Sequence, residues 1–347
     1  MKYIVTITAL YFCGLAHAEN LATFVKSKSF SKLCANSVTI NPLQTTSSYR
    51  VSRSSFTENK SLFFVALEQY ADKNRYTTII AVNKSTPQTK KVLIKLKGTV
   101  HDLLHVNDSI WSLQNHKIVV TNLDSLSVKE IPLSAPASRK RHDRAYDMTI
   151  AGAYVIVSYG SAGLQLVDSD NLSVHDQIDL GLNQPNGHKS LATGIVAIND
   201  EQILVGIDNA TMAKRGPQAF NGILEVNLTE DSITRYPYNQ KNSGMVSRHA
   251  KMKIKDGILW INNWGQIQFV KIASMREQQE VNISWIPTDF EDKGKRWSAE
   301  PLGEFLLVGQ DLFGCAKVHP LQTTTRSLPK GLVYKIDPSK KLTIQDN

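Results

Sequence analysis

The chain has 347 residues, 41% of them hydrophobic and 20% charged, with 19 Gly and 12 Pro, a globular composition that excludes disordered, collagen-like and coiled-coil classes. Its formal net charge of +9 makes an anionic ligand, surface or polymer the first partner class to consider. No stretch beyond the N-terminus approaches the ~20 apolar residues of a membrane-spanning helix, so no transmembrane segment is expected.

Residues 1–18 read as a secretory signal, with Lys2 as the positive start, Tyr3 to Ala16 as the apolar stretch and Ala16-His17-Ala18 as the small-x-small cleavage site. The expectation is a soluble protein, secreted or periplasmic, whose mature form begins near Glu19. Tyr11 and Phe12 before Cys13 are not the small residues of a lipoprotein signal. Removal of the signal leaves Cys34 and Cys315, a predicted disulfide in an oxidising compartment. Chain-entropy reasoning gives a bond across so long a loop about 5 kcal/mol.

Residues 19–57 form an N-terminal segment, and within it 36–53 are expected to supply a first inner strand and a strand completing the last structural unit. From residue 58 to 347 one unit recurs six times. Each has a polar turn followed by an apolar strand, and these strands begin at Leu62, Ile110, Tyr154, Ile203, Ile258 and Phe305. A second strand ends in a polar residue at Asn83, Asn122, Asp168, Asn227, Lys271 and Asp337, and one more strand follows each. Period-2 alternation and β-branched enrichment mark the strands, and helical periodicity is absent. With an upstream segment such as HDLLHV or AKMKI, each unit has four strands in about 48 residues, the pattern of a propeller blade. The fold class is therefore all-β, a six-bladed β-propeller, with a degenerate seventh blade as the alternative. The stretch AYDMTIAGAYVIVSYGSAGLQLVDSDNLS, ending at Ser173, resembles the secreted-propeller repeats called LVIVD and YVTN. That resemblance implies a propeller and no particular activity.

In such blades the B–C loops and D–A connections share one face. The long pieces fall there, at Glu68 to Tyr76, Asp208 to Asn221 and Asp311 to Lys330, as do Arg139, Lys140, Arg141, Arg144, Lys214, Arg215, Lys293, Lys295 and Arg296. Loops on a rigid scaffold carry binding residues, so this face is expected to be basic and functional. The starts of the innermost strands form a polar set: Arg50 and Arg53, His101 and Asp102, Arg144 and Asp147, His188 and Lys189, Arg248 and His249, then Arg296, Trp297 and Glu300. The bland reading is a set of ties between neighbouring blades.

Two functions compete. The first is a binding module for an anionic ligand, glycan or exported protein, with nucleic acid less favoured, using Arg144, Arg248, Arg296, Trp264 and Trp297. The second is a secreted hydrolase, lactonase or lyase with catalytic candidates His101, Asp147, His188, His249 and Glu300. No cofactor motif is present, and a divalent metal on the histidines with Asp147 or Glu300 is an alternative within the second reading. Cys-x-x-Cys, His-Glu-x-x-His, phosphate-loop and nucleophile-elbow motifs are all missing.

Overall fold

Why the repeat folds as it does is visible at its turns. In four blades the polar residue closing the third strand turns its side chain back onto the next backbone. Asn83 Oδ1 accepts the N–H groups of Ser85 and Thr86, and Asn122 Oδ1 those of Asp124 and Ser125. Asp168 Oδ1 accepts from Asp170 and Asn171, and Asn227 Oδ1 from Thr229 and Glu230. These Asx turns reverse the chain without demanding glycine. In the last blade Asp337 Oδ1 accepts from Lys341 N and Ser339 Oγ.

The computed structural model describes residues 23, 25, 26, 30, 31, 34, 49–71, 74–86, 90–133, 144–182, 190–209, 220–239, 251–263, 266–292, 295–308, 310–320, 330–337 and 339–345. The first sheet contains β1 (Tyr49–Glu58), β2 (Leu62–Ala71), β3 (Asn74–Asn83) and β4 (Lys90–Lys97). The second contains β5 (Asp102–Val106), β6 (Ser109–Gln114), β7 (Lys117–Asn122) and β8 (Val128–Pro132), and the third β9 (Asp147–Ala151), β10 (Tyr154–Ser158), β11 (Leu164–Asp168) and β12 (Ser173–Ile178). The fourth holds β13 (Ser190–Ala197), β14 (Gln202–Asn209), β15 (Gly222–Asn227) and β16 (Ser232–Pro237). In the fifth, β17 (Lys251–Lys255), β18 (Ile258–Asn263) and β19 (Gln266–Lys271) are followed by helix α1 (Ile272–Gln278) and a two-residue β20 (Ser284–Trp285). The sixth has five strands, β21 (Asp289–Asp292), β22 (Lys295–Val308), β23 (Asp311–Pro320), β24 (Lys330–Ile336) and β25 (Leu342–Gln345). Every sheet is antiparallel with neighbours in chain order. The fold is an all-β, six-bladed β-propeller.

The blades fall into two compact units. One comprises residues 1–98 and 287–347, with the first and sixth blades, and the other residues 99–286, with the second to fifth. In the first unit Phe30, Phe56 and Phe63 pack with ring centroids 5.3–6.2 Å apart, beside Phe313 and the Cys34–Cys315 disulfide. Full burial of a side chain such as Phe63 contributes about 1.5–3 kcal/mol. In the second unit, successive blades sandwich apolar layers. Trp111 and Tyr159 lie between the second and third blades, Leu166 and Val205 between the third and fourth, and Tyr236, Ile261 and Met275 between the fourth and fifth. Among the described residues no helix is long and apolar enough to cross a membrane.

Four expectations change. First, the last blade is completed by the chain's own β25. Among the described residues no N-terminal strand joins that sheet, and residues 36–48 lie outside those described, as does the signal segment 1–18. Second, Phe305 to Val308 form the end of β22, the strand next to β21, and Gly309 lies outside the described residues. A bulge between Pro301 and Phe305 lets β22 continue past a residue with no N–H, so the next strand, β23, begins at Asp311. Third, Glu68 to Tyr76 is largely strand, with Asp72 and Lys73 outside the described residues. Its ends belong to β2 and β3, which pair as far as Ala71 and Asn74. The Asp311 to Lys330 piece likewise begins as β23. Fourth, the fifth blade has Lys271 where the others have Asn or Asp, and a seven-residue helix replaces the Asx turn. The tryptophans behave as core at Trp111 and Trp260, whereas Trp285 is exposed.

Candidate functional site

The starts of the inner strands are where the polar groups meet. Asp102, Asp147 and Lys251 each stand seven residues before the first residue of the next strand, at Ser109, Tyr154 and Ile258, and so occupy one structural position in three blades. In the fourth blade a bulge lengthens the offset by one, and the residue before Ile195, as Asp147 is before Met148, is Gly194, with no side chain to contribute.

The carboxylates are used on both sides. Asp102 Oδ2 accepts the Met148 N–H of the third blade at 3.0 Å, and Asp147 Oδ2 accepts the Ile195 N–H of the fourth, also at 3.0 Å. The other oxygen of each turns to Lys251. Its Nζ lies 2.7 Å from Asp102 Oδ1 and donates to Asp147 Oδ1. All three side chains are at most 6% exposed. Beneath them Ser158 Oγ accepts the Asp147 N–H at 3.1 Å and donates to the Thr193 carbonyl, while Thr193 Oγ1 donates to the Gly206 carbonyl. Lys251 therefore links its own blade to the second and third, and Asp147 links the third to the fourth.

Burial raises the Asp147 carboxyl above the usual carboxylate range. The Lys251 ammonium, a hydrogen bond with Asp102 and the Ile195 amide oppose that rise.

The remaining candidates are placed unequally. His101 is half-buried and donates Nε2–H to Asn115 Oδ1 at 2.6 Å. The Arg144 guanidinium lies over the Tyr146 ring at 5.1 Å. Arg296 is exposed, 3.9 Å from Asp289, and Trp297 is half-buried beside it in β22. His188, Lys189, Arg248, His249 and Trp264 lie outside the described residues, as do Arg139, Lys140, Arg141, Lys214, Arg215 and Lys293. Arg50, Arg53, Lys295 and Glu300 belong to strands whose side chains at those positions are outside the description. Among the described residues no three His, Cys, Asp or Glu side chains gather into a metal-binding group.

No protein-family model matches the chain, and no curated protein is similar to it. Solved structures give weak likenesses. The computationally designed Ika8 protein is 9% identical over 85% of this chain and 96% of its own, with a TM-score of 0.41. The N-terminal domain of Nup159 is 10% identical over 85% and 88%, with a TM-score of 0.47. The Myceliophteria thermophila Cps50 (Swd1) β-propeller domain is 13% identical over 86% and 88%, with a TM-score of 0.48.

Sequence reasoning noted Asp102 and Asp147 but passed over Lys251, the group that joins them. The signal was available in the alignment of HDL, YDM and AKM at a constant offset from the next strand, with a basic residue substituted once for an acidic one.

Proposed function

We propose that the chain is an exported β-propeller binding module whose basic surface recognises an anionic partner. The observation that carries this reading is the commitment of the buried acidic groups. Asp102 and Asp147 already hold Lys251 and two backbone amides, so they serve blade-to-blade cohesion and are not free to take a proton from a substrate. Positive charge, in contrast, is at the surface, with Lys91, Lys95, Lys97 and Arg296 all exposed in a chain of net charge +9. The Cys34–Cys315 disulfide supports an oxidising compartment, secreted or periplasmic. The LVIVD/YVTN-like stretch around Asp147 supports the same address.

A thermal-shift series with polyglutamate, heparin and divalent metals, each at low and high salt, tests the reading, because a ligand of the native state raises its apparent stability. The expected result is a rise with a polyanion that shrinks steeply as salt screens the charges. A rise with a divalent metal alone, abolished in His249→Ala, would replace the binding module with the enzyme.

A further inference from the structure

Six cations, Arg75, Lys84, Lys90, Lys91, Lys95 and Lys97, stand between residues 74 and 101, a stretch with no Asp or Glu. Lys84 is buried and satisfied internally, 2.6 Å from Glu58 Oε2 and from the Asn59 carbonyl. The others belong to the start of β3 and to β4. This last strand is eight residues long and ends its sheet, with only β3 paired to it among the described residues. Among the described residues its outer N–H and C=O groups therefore form an open edge.

The register fixes where the cations point. Lys97 pairs with Tyr76 and Lys95 with Thr78, on one face, and Lys95 Nζ lies 4.8 Å from the centroid of the Tyr76 ring. A bulge then passes over Leu93, so Val92 pairs with Ile80 and Lys91 with Ala81, which turns Lys91 to the opposite face. Lys91, Lys95 and Lys97 are exposed, and Val92 between them is 62% exposed. Cations on both sides of an open edge do not match a polymer lying flat on one face. They match an extended chain whose alternating side chains reach both ways while its backbone meets the edge.

We infer that the outer edge of β4 is the docking site for an extended acidic segment of another protein, which adds to the first sheet as a further strand. The inference rests on the anionic-partner reading and narrows it to one partner chemistry and one place. The same lysines repel a second copy of the edge, which guards the free protein against self-pairing.

The test uses the whole chain and a fluorescein-labelled eight-residue peptide of two Glu-Glu-Val-Val repeats, which carries glutamates on both faces when extended, followed by anisotropy and by amide hydrogen exchange. The peptide is expected to bind, to slow exchange across residues 90–97, and to bind about tenfold more weakly to K91E/K95E/K97E, the sum of three modest exposed charge pairs. The control K129E/K271E/K341E makes the same charge change elsewhere and should stay within about twofold of the parent. Equal affinity in K91E/K95E/K97E, or unchanged exchange at 90–97, overturns the inference. Heparin binding without peptide binding overturns it too and leaves the anionic-partner reading standing. If neither probe binds the parent protein, both fall.

Discussion

Lys251 joins the buried carboxylates of the second and third blades to the fifth. A buried charge deprived of its partner costs far more than the pair contributes, typically about 3–5 kcal/mol, and Lys251→Met would leave two carboxylates facing each other in a dry site. The sign of the pH dependence follows from Asp147, whose carboxyl is raised by burial even with Lys251 present. A carboxyl raised in the fold stabilises it fully below the unfolded-state value and loses that contribution as pH rises through the folded-state value. The variant, with its ammonium gone, raises the Asp147 carboxyl further. Urea unfolding should therefore show the full loss near pH 8 and a smaller one near pH 5. Equal losses at the two pH values would mean that the carboxylates are not the groups left uncompensated. A lysine in AKMKI carries no motif, and its meaning comes from Asp102 and Asp147, 149 and 104 positions away, which is why single-residue chemistry did not disclose it.

At the scale of the element, the strands and their polar turns were legible because each turn needs one side-chain acceptor at one place. Asn122 and Asp168 supply it in the second and third blades. Helix α1 was not legible, since seven residues hold too few turns to display a helical period. Its seat is tertiary: Ile272 and Met275 are buried against the fourth and fifth blades, and Arg276 forms two hydrogen bonds to Glu225. The sixth blade was misread because a bulge changes strand parity without changing composition. The hairpin between β10 and β11 offers a sharp test of turn geometry. Gly163 has φ +86°, and an added Cβ would stand 2.2 Å from the Ile178 carbonyl oxygen, a backbone atom that cannot move alone. Gly163→Ala should cost more than about 2 kcal/mol, combining left-handed strain with the displaced β12. A midpoint of chemical unfolding within error of the parent would show that this edge of the third blade yields freely.

For the whole molecule, six repeats at a near-constant interval sufficed to predict the propeller, because repetition survives even where single strands are misassigned. The site was less legible, since which polar groups meet is decided by strand register and by neighbouring blades, neither of which is local in sequence. Cys34 and Cys315 are the exception. Two cysteines 281 positions apart were expected to bond, and they do, with Cα atoms 5.0 Å apart. Both are essentially unexposed, packed with Phe56, Phe63 and Phe313, so the bond joins the N-terminal segment to the sixth blade inside an apolar cluster. Its effect should appear mainly in the unfolded state, where it removes loop-closure entropy, and a realistic cost of removing it is about 2–5 kcal/mol. Cys34→Ala/Cys315→Ala avoids a free buried thiol and keeps the site apolar. Equilibrium urea unfolding of that variant against the oxidised parent is expected to show a lower midpoint and a steeper dependence on denaturant, because the uncrosslinked unfolded chain exposes more surface. If midpoint and slope both stay unchanged, the N-terminal segment is already loose in the oxidised protein and the cross-link restrains nothing that unfolding releases.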